Sequence, residues 1–272
     1  MVNNRKEVIK KVCARSYLGL ILFLMYLPIL VLIVFSFTNS DELGEWQGFS
    51  FDLYINLFSS ERLMQAIGNT VLIAIVSAIC ATVLGTLGAV GNYYAKKRYK
   101  KTVDFITQIP VVNAEIVMAL SLAILFKFLN ARYSFLTLLV GHVVLTVAFV
   151  YLNVLPKLKQ MDPNIYEAAL DLGATPFYAL FKVVLPEILP GIFSGFLISL
   201  TLSLDDFVIT QYLKEPSFET ISTFVQKIVV KHPIPAEVRS LSAILSFLVL
   251  GFVIAITIYN NKKQKTLNRR RG

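Results

Sequence analysis

Across 272 residues the chain carries only two cysteines and two histidines, and that scarcity closes off several kinds of chemistry. Cys13 falls beside a basic flank and Cys80 within an apolar run, an arrangement that makes neither a disulfide framework nor a metal cluster. His142 and His232 lie apart with no ligand spacing and no nucleophile–base constellation around them, so a membrane enzyme is disfavoured. They read as a packed helix residue and a loop residue. No G-x-x-x-x-G-K-[ST] loop is present to cradle a nucleotide, so any ATP chemistry must come from another subunit. Charge is sparse as well, at 16% of residues, against about 25% in soluble domains. Neither an internal repeat nor a broken-helix pair, the marks of a self-sufficient secondary transporter, is visible in the pattern.

What the chain has instead is apolar length. The hydrophobic fraction is 56% and the mean hydropathy +0.67. Uncharged runs at 16–40, 63–95, 133–156 and 240–261 each match or exceed the roughly 20 residues that cross a bilayer as helix. Two further spans hold isolated charges: 105–129 with Glu115 and Lys127, and 188–212 with Asp205 and Asp206. The expectation is an all-α membrane protein, one transmembrane domain over residues 1–272, with six spans at about 17–37, 67–92, 105–129, 133–155, 188–212 and 240–260. The first apolar stretch is too long for a secretory signal and lacks a cleavage site, so it reads as an uncleaved anchor.

With both termini placed in the cytoplasm, most of the 26 basic residues fall on the inner side. They cluster before the first span, at Lys96–Lys101, around Lys157, Lys159 and Lys182, and in the tail from Lys262 to Arg271. The net charge of +9 is therefore topological, and nucleic-acid binding does not explain it. The outer segment 38–66, with Trp46, Phe49, Phe51, Tyr54 and Phe58, suits an element lying at the membrane interface. Gly191 and Gly195 open the fifth span at a spacing that lets two helix backbones approach, inside the subunit or across a dimer contact.

The loop 156–187 between the fourth and fifth spans carries its own punctuation. Asp162-Pro163 is a cap followed by proline, Gly173 stands where a helix ends in a left-handed residue, and Thr175-Pro176 repeats the start signal. A helix–turn–helix results, its second helix running toward Leu185 and Pro186. Within it Glu167-Ala168-Ala169, three residues, Gly173, nine residues, Val183, one residue, Leu185-Pro186 resembles the EAA motif of ABC importer permeases, EAA-x3-G-x9-I-x-L-P, with valine for isoleucine. TLSLDDFVITQYL, EIVMALSLAILF and WQGFSFDLYINLF further resemble segments of the polyamine (spermidine/putrescine) permeases, over most of residues 17–260. Ala114 departs from them where a proline precedes the acid of the third span.

The resemblance implies a type I ABC importer permease fold and a cytoplasmic coupling loop at Glu167, Ala168, Ala169, Gly173, Leu185 and Pro186. It implies a homologous second permease as heterodimer partner, two ATPase subunits using ATP-Mg, an extracytoplasmic binding protein and residence in the cytoplasmic membrane as a multi-pass protein. No cofactor is expected on this chain. Carboxylates inside a bilayer are costly and must face protein or water. Counted along straight helices from the cytoplasmic ends, Glu115 lies less deep than Asp205 and Asp206, which fall toward the outer side, a vertical ladder of charge. With Phe207 and Tyr212 beside them they could strip water from a linear polyamine stepwise. Structural acceptors or intersubunit pairs are the alternative roles. Permeases for a phosphonate, thiamine or ferric ion are the alternative solute class.

Overall fold

The structure, a computed structural model, describes residues 2–38, 40, 45–229, 238–244, 246, 247, 250 and 251, and every regular element among them is helical. Among the described residues four helices are long and apolar enough to cross a membrane, or five if one sharply bent pair counts as a span. The expected sixth span, 240–260, lies largely outside the described residues, though 238–244 are helical. The basic tail lies wholly outside them. The chain divides into two compact units, Met1–Glu61 with Val225–Gly272, and Arg62–Phe224.

In the first unit α1 (Val2–Phe35) covers the expected first span, with Pro28 inside it. The chain then turns through an aromatic cluster before α2 (Asp52–Ser59). Phe37 stacks on Phe49 with centroids 5.4 Å apart and meets Phe51 edge-on, and Tyr54 closes the group by a 2.7 Å hydrogen bond with Ser36. Arg239 is fully buried and donates to the carbonyls of Phe35 and Ser40. The aromatic residues of this segment thus pack on one another within this unit while Trp46, Phe49, Phe51 and Phe58 stay exposed.

The second unit contains α3 (Glu61–Tyr94) from Arg62 onward, α4 (Lys97–Val112), α5 (Glu115–Phe128), α6 (Phe135–Gln160), α7 (Asn164–Asp171), α8 (Pro176–Ala179), α9 (Leu185–Asp205) and α10 (Val208–Leu213). Residues 221–229 form α11 (Ile221–Val229). α9 packs closely along α6. A Cβ at Gly195 would come within 3.0 Å of the Val150 Cα, and one at Gly191 within 2.7 Å of Lys157. The small-residue spacing therefore serves packing inside the subunit.

Two expected spans are interrupted, which corrects the expectations of continuous spans at 105–129 and 188–212 and of no broken-helix pair. α4 and α5 meet at 106° across Asn113 and Ala114, both extended. Pro110, two residues before the end of α4, leaves the carbonyl one turn back without its donor and weakens the helix there. Ala114 adopts φ −63°, ψ 135°, angles a proline would hold, so the bend forms without one. The second interruption follows Asp205: Asp206 is extended at φ −62°, ψ 127°, and the short α10 starts afresh. Conversely, the second loop helix does not stop before the fifth span. α8 runs through a π turn (Leu180–Val184) straight into α9, so that 176–205 is one helix. The Leu185 N–H reaches back five residues to the Leu180 carbonyl, a widening that makes room for the Pro186 ring.

Candidate functional site

At one end of the second unit the hairpin of α7 and α8 is built as its punctuation specifies. The Asp162 carboxylate accepts from the Asn164 N–H at 2.9 Å and starts α7. At the other end Gly173 takes φ +87°, its N–H donates to the Leu170 carbonyl and the Ala174 N–H to that of Ala169, the paired bonds of a Schellman stop. Thr175 accepts from the Tyr178 N–H at 3.3 Å ahead of Pro176. Tyr166 packs on Tyr94 with centroids 5.0 Å apart and so fastens α7 to the end of α3.

The face this turn presents is apolar and bare. Leu172 is 89% exposed and Phe177 74%, with Glu167 and Ala168 also exposed and Ala169 half-buried. Ala169, Leu172, Gly173, Tyr178 and Val183 help to line an open concavity of about 530 Å³. Leu185 packs against the core while Pro186 is exposed. Exposed leucine and phenylalanine on a rigid turn suit docking to another protein.

The second place is where the two interruptions meet. Glu115, half-buried in the first turn of α5, lies beside the Asp206 carboxylate with Asp205 nearby, because α5 packs on α10 with Ala119, Ile209 and Leu213 in one apolar cluster. The ladder inferred from straight helices is therefore wrong: the bend at 113–114 brings Glu115 to the same level as the aspartates. Two carboxylates at such range repel unless a proton or a cation sits between them.

The aspartates differ in surroundings. Asp206 is 4% exposed and caps α10, accepting from the Ile209 N–H at 3.0 Å, the Thr210 N–H at 2.8 Å and the Thr210 hydroxyl at 2.6 Å. Asp205, the last residue of α9, is exposed. Phe207 is half-buried in the break and Tyr212 exposed on α10.

Residues 81–264 match the family described as binding-protein-dependent transport system inner membrane component. The chain belongs to that family. Its fold is the all-α type I ABC importer permease fold, and it is a multi-pass membrane protein and a transport subunit. This permease is 37% identical over 242 residues to the spermidine/putrescine transport system permease protein PotC of Escherichia coli (strain K12), covering 89% of this chain and 91% of that one. To the putrescine transport system permease protein PotI of the same strain it is 32% identical over 250 residues, 89% of each chain. A bacterial ABC transporter importing the acidic polysaccharide alginate superposes with a TM-score of 0.71 at 19% identity, over 95% of this chain and 98% of that one.

Two buried networks of the permease join residues to which the sequence gave no functional role, His142 having read only as a packed helix residue. His142 on α6 is fully buried, with Nδ1 2.7 Å from Ser203 Oγ and Nε2 3.0 Å from Thr210 Oγ1. Ser203 in turn meets Ser77 of α3 at 2.8 Å. A second buried network ties Asn92 of α3, Asp104 of α4 and Tyr151 of α6 together. Each group is isolated in sequence, and only helix packing gathers them, so no spacing could have revealed them.

Proposed function

We propose that this permease carries polyamines into the cell as one half of a heterodimer with a homologous second permease. Two separate ATPase subunits bind and hydrolyse ATP-Mg, and an external binding protein delivers the solute. The observation that carries this reading is the 37% identity to a spermidine/putrescine permease along nearly the whole of both chains. The chemistry of the two interruptions supports it. Glu115, Asp205 and Asp206 converge with Phe207 and Tyr212 close by in sequence, a setting that favours a solute with ammonium groups on an apolar chain.

On this reading the α7–α8 hairpin is the cytoplasmic coupling element. Leu172 and Phe177 provide its apolar contact with an ATPase, Ala168 and Ala169 permit close approach, Gly173 sets the turn and Glu167 offers a charge. Closure of the ATPase dimer pushes the hairpin, and the continuous helix 176–205 carries that push toward Asp205. Asp205 and Glu115 line the path, and Asp206 holds the backbone that presents Asp205. Both termini are cytoplasmic, as the distribution of basic residues favours.

The test is uptake of radiolabelled spermidine and putrescine into a strain stripped of its own polyamine uptake, with this permease expressed beside its cognate second permease, ATPase and binding protein. ATP-dependent accumulation of either polyamine is expected. Uptake of a phosphonate, thiamine or ferric ion instead, with no polyamine accumulated, overturns the reading.

A further inference from the structure

His142 does more than fill space. Thr210 donates its hydroxyl proton to Asp206 at 2.6 Å, so the His142 Nε2, 3.0 Å from the Thr210 hydroxyl and 3.4 Å from the Asp206 carboxylate, carries the hydrogen and donates chiefly to Thr210. Nδ1 is then left to accept from the Ser203 hydroxyl at 2.7 Å, and Ser203 is free to accept from Ser77. Ser203 belongs to the last turn of α9 and Thr210 to α10, so one imidazole ring bridges the two sides of the break. The ring stands on α6, which is unbroken from Phe135 to Gln160.

An independent contact fixes the same junction. A Cβ on Gly141 would lie 2.4 Å from the Leu213 side chain and 2.7 Å from that of Ile209, so α10 rests directly on the α6 backbone beside His142. Steric seating and hydrogen bonding thus act on α10 from adjacent residues.

We propose that His142, with Thr210 as its relay, is a positioning residue of the substrate path: it clamps α10 to the end of α9 and thereby sets how Asp205 and Glu115 face each other. The proposal rests on the placing of those two acids in the path. It acts through Thr210 and Asp206 and needs no contact between the ring and the solute.

Two measurements on the assembled transporter test it. In spermidine uptake, His142→Leu and the near-isosteric Thr210→Val are expected to raise KM at least tenfold, with maximal rate and the amount of assembled complex within twofold of wild type. Thr210→Ser, which keeps the hydroxyl, restores the wild-type KM. An unchanged KM in Thr210→Val, or an equal rise in Thr210→Ser, overturns the proposal. The second measurement needs no knowledge of the solute: Asp205→Cys, with Cys13 and Cys80 replaced by serine, is labelled with a positively charged methanethiosulfonate. Thr210→Val is expected to change the labelling rate at least fivefold and Thr210→Ser to leave it, and equal rates in all three overturn the clamp. If the wild type moves no polyamine, the proposed substrate falls while the labelling still decides the role of His142 and Thr210.

Discussion

Adjacent residues of one type can sit in unlike surroundings, and Asp205 and Asp206 do. In an unbroken helix they would differ only by about 100° of azimuth. Here Asp206 leaves the helix, accepts three hydrogen bonds and holds α10, whereas Asp205 remains exposed. Loss of such a cap costs about 1–2 kcal/mol. Asp206→Ala is therefore expected to lower the melting temperature of the purified transporter and abolish uptake, while Asp205→Asn keeps the melting temperature and raises KM for polyamine about tenfold, the scale of losing one charge-assisted contact. Thermal melts beside uptake kinetics check this, and a KM unmoved by Asp205→Asn removes it from the path. Nothing in the residue types distinguishes the pair, because the difference arises from a backbone break only the packed helices sustain.

At the scale of elements, the hairpin was legible and the interruptions were not. Caps, prolines and Gly173 act within a few residues of themselves, so 162–176 follows its own local rules and the structure adds little. The π turn is different. It inserts one extra residue of slack between the hairpin and α9, and it sits where the Pro186 ring would otherwise meet the preceding turn. Pro186→Ala allows the segment to relax to regular α-helix, which turns the hairpin by about 100° relative to α9. That variant is expected to assemble normally yet lose most of the ATP hydrolysis stimulated by substrate-loaded binding protein. Undiminished stimulation in Pro186→Ala would mean the turn is incidental. The bend at 113–114 escaped prediction for a converse reason: its alanine has no breaking tendency of its own, and Pro110 stands inside α4, two residues short of it.

For the whole molecule, the distribution of basic residues is what favours one orientation over the other. The segment from Lys262 to Arg271 holds six of them beyond the last apolar run. Truncation after Asn261 is expected to misorient a measurable fraction of the protein, read as protease or thiol-reagent access to the two termini in inside-out vesicles, while correctly inserted molecules keep the wild-type KM. Uniform orientation in the truncated protein would assign the task to the remaining charges.

Length of apolar runs, placement of charge and local caps are properties of neighbours along the chain, and from them the membrane class, most spans, the hairpin and the family were determined. The meeting of Glu115 with Asp205 and Asp206, and the His142 bridge across the break, join residues from α5, α6, α9 and α10. Helices placed side by side decide such contacts, because a carboxylate in a membrane settles wherever packing supplies donors, and the order of residues along one helix does not encode what the next helix brings to it.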